Sequence, residues 1–195
     1  FRAAPREPAD LFELTLLAEA MADAGEEAAA PHIEKLRAFE PTEAAALSAR
    51  LHLRRGRIKE AGAAIEDALR RYRQDPWPTP ALMGRALRTA VDVARRAAQG
   101  GDAALALRMY QLLREPFVVR VVNEERLLAL LEVARICDFP RLCAEALAEQ
   151  EPHVMWQRPV LEDRVECYSH GPAESDGRLA RARAGRRRTL AVASL

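Results

Sequence analysis

Cysteine is scarce in this sequence. The chain has 195 residues but only three cysteines, Cys137, Cys143 and Cys167. Secreted proteins that depend on disulfides for their stability usually have many cysteines, in an even number. We therefore expect no disulfide scaffold, and a reducing compartment, the cytoplasm.

Long apolar runs and a net charge are also lacking. No apolar segment approaches the roughly 18 residues that would cross a bilayer. The 30 basic and 29 acidic residues leave a net charge of +1, so the chain has no overall bias toward nucleic acids or anionic membranes. Only Lys35 and Lys59 of the basic residues are lysine, a bias that indicates GC-rich codons and a bacterial protein.

Recognisable catalytic motifs are absent as well. Four histidines are far apart in the sequence: His32, His52, His153 and His170. No paired-histidine metal motif, serine elbow or glycine-rich phosphate loop accompanies them. The three cysteines and His170 lack the close pairing of zinc ligands, and Cys143 is predicted to be a small buried side chain. We expect no catalytic residue, no metal and no cofactor, and a protein that is not an enzyme.

The apolar residues recur at steps of three and four, the spacing that places side chains on one face of an α-helix. Three such series run through Ile58, Ala61, Ile65, Ala68 and Tyr72, through Met83, Leu87, Ala90, Ala94 and Ala97, and through Leu105, Met109, Leu112 and Leu113. Strand signals are nearly absent. For the ambiguous segment 117–122, FVVRVV, we favour a short extended stretch before a helix that Asn123 caps. The fold class is predicted to be all-α.

Helix boundaries recur along the chain. Asp10 and Glu13 form a capping-box pattern, and Gly25 can end the helix that follows. Thr42 is a candidate N-cap, and turns are expected at Gly56, at 100–102 and at 138–140. These boundaries predict four helix pairs up to about Gln150.

Two segments of this series resemble tetratricopeptide repeats. Residues 45–72 have the small, large, small spacing of that family at Ala61, Ile65 and Ala68, after a glycine turn. Residues 90–113 are similar, with Ala106 and Tyr110 in corresponding places. The resemblance implies a right-handed α-solenoid of about four to five antiparallel helix hairpins, over residues 1–168. Residues 169–195 are rich in arginine and are interpreted as a fifth hairpin or a flexible arm, most simply as a solvated basic helix.

A stiff connector lies between two of the predicted helices. Residues 76–80 read PWPTP, which favours an extended polyproline-like segment, and the next helix is expected to begin at Pro80 and to be about two turns longer than its neighbours. For Trp77 we favour a ring that folds back to seal the edge of the core. The alternative is an exposed anchor for a partner.

The resemblance also implies where a ligand would bind. In tetratricopeptide proteins the first helices of successive repeats line a concave groove, and in this chain the matching positions carry Arg50, Arg54, Arg88 and Arg95, with Arg135 on the fourth pair. Such a groove favours an acidic peptide segment or a carboxylate. The arginine-rich C-terminus has no interleaved aromatics for stacking, so no specific nucleic-acid binding is expected.

Two classes of function follow from this reading. The first is a non-enzymatic scaffold or adaptor that holds a protein partner in the groove. The second is a helical regulatory or accessory domain of a larger enzyme or assembly. No membrane-spanning segment is expected in either case, and the sequence leaves the oligomeric state open.

Overall fold

The computed structural model describes residues 7–137, 140–151, 154, 156–170 and 176–192. These residues form ten α-helices and one 3-10 helix, and none of them lies in a strand. The α-helices are α1 Leu11–Ala24, α2 Ala29–Arg37, α3 Pro41–Arg54, α4 Ile58–Arg71, α5 Pro80–Gln99, α6 Ala103–Arg114, α7 Asn123–Ile136, α8 Pro140–Ala148, α9 Arg158–Ser169 and α10 Asp176–Val192. The prediction of an all-α fold is confirmed.

Each helix packs against the next one in the sequence. In addition, α1 contacts α3, α3 contacts α5, and α5 contacts α7. The odd-numbered helices from α1 to α7 therefore form a continuous row. Each of α2, α4 and α6 packs against the two odd-numbered helices that precede and follow it in the sequence.

The predicted apolar faces form the core. Ile65, Ala68 and Tyr72, from the first of the three predicted series, are fully buried, as are Met83 and Ala94 from the second. The main core extends from α3 to α10, and a smaller cluster joins α1, α2 and α3 with Leu82 of α5. Because side chains at steps of three and four share one helix face, the sequence pattern identified the part of this core that α4, α5 and α6 contribute.

The turn signals identified several helix ends correctly. Asp10 caps α1, since its carboxylate accepts a 2.8 Å hydrogen bond from the backbone N–H of Glu13. Gly56 and Gly101 have φ values of 72° and 80°, a left-handed conformation that side chains with a Cβ rarely adopt. Two of the predicted reversals between helices therefore use glycine for its conformational freedom.

Two predicted N-caps are wrong. Helix α3 begins at Pro41, so Thr42 lies inside its first turn, and the Thr42 hydroxyl donates instead to Asp75, at 2.8 Å. Helix α7 begins at Asn123 itself, after a 3-10 helix at Arg120–Val122 that replaces part of the predicted extended stretch. The Thr42 hydroxyl binds a residue 33 positions away, which local sequence cannot reveal. The Asn123 side chain accepts from the Arg126 side chain three residues on, instead of capping the backbone.

The connector before α5 is held by hydrogen bonds to α3. Asp75 accepts from the Trp77 backbone N–H at 2.9 Å, and Glu43 accepts from the Thr79 N–H at 2.7 Å. Helix α5 begins at Pro80, as predicted, and has 20 residues against 14 each in α3 and α4. The extra length gives α5 a long exposed flank between α3 and α7.

The arginine-rich C-terminal segment contains α10. This helix contacts α9, and Ala182 on it is fully buried. A methyl group at Gly185 would lie 3.7 Å from the ring of Trp156, so α10 also approaches the segment before α9. At least part of the basic segment is therefore packed against the rest of the chain.

Candidate functional site

Two clefts open along the exposed flanks of α5. The first has a volume of about 340 Å³, lies between α3 and α5, and is lined by five arginines, Arg50, Arg54, Arg85, Arg88 and Arg96, together with Asp23 and Asp92. We call it the basic cleft. The second, of about 330 Å³, lies between α5 and α7 over Leu87, Val91, Leu128 and Ala129. We call it the apolar cleft. Arg88 and Asp92 border both, so the two clefts lie side by side on α5.

Arg50 is bound to acidic residues within the chain. Its guanidinium donates a 2.7 Å hydrogen bond to Glu19 and also pairs with Asp23, both on α1. Arg50 and Glu19 are each only 9% exposed. A buried charge needs such a partner because desolvation is costly. Arg50 thus joins α1 to α3 at the base of the basic cleft, and its role in partner binding stays a prediction.

Two further arginines of the basic cleft were missed from the sequence. Arg85 pairs with Glu19, and Arg96 donates a 3.2 Å hydrogen bond to the Leu53 carbonyl near the end of α3. Arg85 lies one helical turn before Arg88, so the spacing of three residues was a usable signal. Arg96 gave no such signal, because its partner is a backbone carbonyl.

Arg54 and Arg88 differ from the other arginines of the basic cleft. Both side chains are exposed, and among the described residues neither has an ion-pair partner or a side-chain hydrogen bond. They lie on α3 and α5, so they come from the two opposite walls. The basic cleft thus holds two guanidinium groups for which no described carboxylate lies within ion-pair distance, although Asp92, one helical turn beyond Arg88, lines the same cleft.

Arg95 and Arg135 join neighbouring helices. Arg95, at the apolar cleft, pairs with Asp92 and with Glu132 of α7. Arg135, outside both clefts, lies 2.6 Å from Asp163 of α9. Burial raises the pKa of Asp163, although the charge of Arg135 opposes this. Because their charges are compensated, these two arginines are positioned mainly as links between helices.

Trp77 does not seal the core. Its side chain is 88% exposed, so the favoured prediction of a packed ring is wrong. The hydrogen bonds of Asp75 and Glu43 fix the backbone on both sides of Trp77, with the ring directed away from the core. Trp77 lines neither cleft, so any anchoring role is separate from the basic cleft.

The cysteines are arranged differently from the prediction. Cys143 of α8 and Cys167 of α9 form a disulfide, with their Cα atoms 5.6 Å apart. The cysteine count missed this pairing because it depends on how α8 packs against α9. Both residues are buried, as predicted for Cys143, and Cys137 is a free thiol. The cysteines therefore no longer favour a reducing compartment.

The described part of the chain contains neither a cluster of metal ligands nor a membrane-spanning helix. Within the described ranges, no group of three or more histidine, cysteine, aspartate or glutamate side chains is arranged to hold a metal ion. His153 lies outside those ranges. None of the helices in the described part of the chain is both long enough and apolar enough to cross a bilayer.

The resemblance to tetratricopeptide repeats rests on the residues quoted above. Comparison of the chain with protein-family models, with curated proteins and with solved structures found no match.

Proposed function

We propose that this chain is a non-enzymatic scaffold that holds an extended acidic segment of a partner protein in the basic cleft. The proposal includes the arrangement implied by the resemblance, a right-handed α-solenoid of four to five tetratricopeptide-like hairpins. The row of contacts from α1 through α3 and α5 to α7 supports this arrangement. Placement in the bacterial cytoplasm belongs to the same proposal.

One observation carries the proposal: Arg54 and Arg88 line the same cleft, and no carboxylate in the described part of the chain forms an ion pair with either. The other arginines at the cleft are engaged within the chain, since Arg50 and Arg85 share Glu19 and Arg96 binds a carbonyl. Stability alone gives no reason to direct two unpaired guanidinium groups into one concavity. A carboxylate there would receive charge-assisted hydrogen bonds from both walls.

The surroundings of the basic cleft favour an extended segment over a single ion. On the other side of Arg88 and Asp92 lies the apolar cleft, where Leu87, Val91 and Leu128 offer an apolar surface. A peptide that placed a carboxylate between Arg54 and Arg88 would therefore have room to continue along α5. Its affinity should fall as salt rises, because exposed charges are screened beyond about 8 to 10 Å at physiological ionic strength.

A binding titration tests the proposal. A labelled peptide of glutamate and alanine residues is titrated with the protein, and a peptide with glutamine in place of glutamate serves as the uncharged probe. We expect the acidic peptide to bind and the glutamine peptide to bind much more weakly. Reversal of both arginines, Arg54→Glu with Arg88→Glu, should weaken acidic-peptide binding by about tenfold or more, since hydrogen bonds to charged groups contribute about 1.5 to 3 kcal/mol each.

The control is a charge-matched pair outside the clefts. Lys59→Glu with Arg183→Glu changes the net charge by the same amount, at exposed positions on α4 and α10. This variant should bind the acidic peptide as the wild type does, apart from a small general effect of charge. Equal losses in both variants would show that only net charge matters, and the basic cleft would then not be the binding site.

A further inference from the structure

The large apolar side chains that are exposed to solvent lie along one edge of the molecule. Leu11 and Phe12 start α1, Phe39 lies between α2 and α3, and Trp77 lies between α4 and α5. The series continues with Val118 and Val121 between α6 and α7, and with Trp156 before α9. Among the side chains that the structure describes, only Leu16 of the exposed large apolar residues lies elsewhere, one turn further along α1. We call this row the apolar edge. Its five stations are the start of α1 and the segments that lead into α3, α5, α7 and α9.

Hydrogen bonds between successive connectors show that these segments are neighbours. Lys35, near the end of α2, pairs with Glu7 before α1, at 2.9 Å. Thr42, at the start of α3, binds Asp75 in the next connector. The backbone N–H of Val118 then approaches the carbonyl of Tyr72 at 3.4 Å. Each station of the row therefore lies beside the next.

The end of α8 continues this row. Glu149, just after α8, lies 3.8 Å from Arg114 at the end of α6 and 3.7 Å from Arg126 in the first turn of α7. The connector that contains Trp156 therefore starts beside the α6–α7 connector. Packed helices are about 8 to 10 Å apart, so the stations follow one another at roughly that spacing.

The opposite ends of the helix pairs have a different character. The turns between odd and even helices contain Gly25, Glu26 and Glu27, then Arg55, Gly56 and Arg57, then Gly100, Gly101 and Asp102. At these described turns no large apolar side chain is exposed. One edge of the molecule is therefore apolar, whereas the other is polar at these described turns.

The central station of the apolar edge is held in a fixed conformation. Trp77 lies between Pro76 and Pro78, and the backbone on both sides of it is bound by Asp75 and Glu43. Its ring is nevertheless 88% exposed. An aromatic ring presented on a fixed backbone loses little conformational entropy when it is covered, which is typical of an interface anchor.

We infer that a second copy of this chain covers the apolar edge in a two-fold symmetric dimer. Trp77 occupies the third of five stations, so rotation about an axis beside it superimposes the row on itself in reverse order. Phe39 of one copy then faces the smaller Val118 and Val121 of the other. A two-fold interface requires this kind of self-complementarity, because both copies contribute the same surface.

The charges beside the row fit the same arrangement. Glu40 accompanies Phe39, and Arg120 accompanies Val118 and Val121, at stations on either side of Trp77. Among the described residues neither Glu40 nor Arg120 has an ion-pair partner. In the two-fold dimer each Glu40 faces Arg120 of the other copy. The nearby acidic residues Glu115 and Glu124 disfavour an anionic membrane surface as the occupant.

The available area is also sufficient. Phe12, Phe39, Trp77 and Trp156 are exposed by 70%, 70%, 88% and 63%. Aromatic side chains bury roughly 150 to 250 Å² each when they are covered. Four such rings supply most of the roughly 800 Å² per partner found in stable interfaces.

Sedimentation equilibrium and intrinsic fluorescence test the inference together. Trp77 and Trp156 are the only tryptophans of the chain, and both lie on the apolar edge, so their emission reports on its environment. We expect a monomer to dimer transition as concentration rises, with a shift of the emission to shorter wavelength over the same range. Trp77→Ala should raise the dissociation constant by at least about thirtyfold.

A charge exchange identifies the interface. Glu40→Arg alone and Arg120→Glu alone should each weaken the dimer, because each places like charges opposite one another. The two substitutions together in one chain should restore dimerisation, since opposite charges would again face each other at positions 40 and 120 of the two copies. Glu60→Arg, an exposed substitution in the first turn of α4 at the polar edge, is the matched control and should leave the dissociation constant unchanged.

Three results would overturn the inference. The first is a monomer at all accessible concentrations. The second is a dimer that is insensitive to Trp77→Ala and to both charge reversals. The third is a monomer whose emission shifts only with phosphatidylcholine vesicles, which would assign the apolar edge to a lipid surface.

Discussion

The Tyr72 hydroxyl donates a buried hydrogen bond to Glu43, with 3.0 Å between the two oxygens. Tyr72 is fully buried and Glu43 is 3% exposed. The other carboxylate oxygen of Glu43 accepts from the Thr79 backbone at 2.7 Å. One acidic side chain of α3 thus binds both the residue that ends α4 and the connector that leads to α5.

The first prediction concerns pH. Burial raises the pKa of Glu43 above its ordinary value of 4.5, although both hydrogen bonds oppose the shift. A carboxyl whose folded pKa is raised contributes stability below its unfolded pKa and loses that contribution as pH rises through the folded pKa. In Glu43→Gln the side chain is uncharged at every pH. The free energy of unfolding of the wild type, measured by urea denaturation, should therefore fall relative to this variant as pH rises above about 4.5. The prediction would be contradicted if the unfolding free energy of the wild type, relative to that of the variant, stayed constant or increased as pH rises.

The second prediction concerns the buried pair of Arg50 and Glu19. Arg50→Met removes the charge but keeps much of the side-chain volume, and it leaves Glu19 with Arg85 alone. We expect a loss of about 3 kcal/mol in unfolding free energy, typical of a broken buried ion pair. The matched control, Arg54→Met, removes an exposed charge one turn further along α3 and should change stability by no more than about 0.5 kcal/mol. Similar losses in the two variants would show that the pair contributes nothing specific.

The third prediction concerns the small residues of the proposed repeats. Ala61 and Ala106 are buried, at 0% and 1% exposure, on the second helices of their pairs. Replacing either with leucine overfills the contact and should cost about 1 to 3 kcal/mol. Ala63→Leu, on the exposed face of α4, is the control and should be nearly neutral. Unchanged melting temperatures for both buried variants would argue against close helix packing there.

The fourth prediction concerns the disulfide between Cys143 and Cys167. These residues are 24 positions apart, and closing a loop of that size contributes about 3 kcal/mol. Replacing both with alanine, or adding a reductant to the wild type, should lower the unfolding free energy by a similar amount. Cys137→Ala leaves the disulfide intact and should retain the sensitivity to reductant. A wild type that unfolds identically with and without reductant would contradict the assignment.

The sequence predicted the helices better than their ends. Helical faces such as Ile65, Ala68 and Tyr72 were identified because their spacing reflects the geometry of a single helix. The ends at Thr42 and Asn123 were misjudged because their side chains bind partners other than the local backbone: Asp75 for Thr42, and Arg126 for Asn123. Capping rules consider only a hydrogen bond between the side chain and the nearby backbone, whereas a short polar side chain can also bind other side chains.

The candidate site was predictable only in part. The resemblance selected Arg54 and Arg88, which do line one cleft, but it gave equal weight to Arg50. An arginine that is exposed and one that is buried in an ion pair look the same in a sequence. The distinction depends on Glu19 and Asp23, which are 31 and 27 residues away from Arg50. Trp77 was misjudged for a related reason, since its direction depends on contacts of the neighbouring Asp75 and Thr79.

Glu19 has a consequence for how this chain tolerates rearrangement. It accepts from Arg50 of the second helix pair and from Arg85 of the third, so the first pair interacts with more than its immediate neighbour. In an ideal repeat array each unit interacts only with the adjacent units, and internal units can be deleted or exchanged. In this chain, deleting the second pair would remove Arg50 and also change the distance between Glu19 and Arg85. The first helix pair is therefore tied through Glu19 to both the second and the third, so the second pair could not be removed without disturbing the contact between the other two.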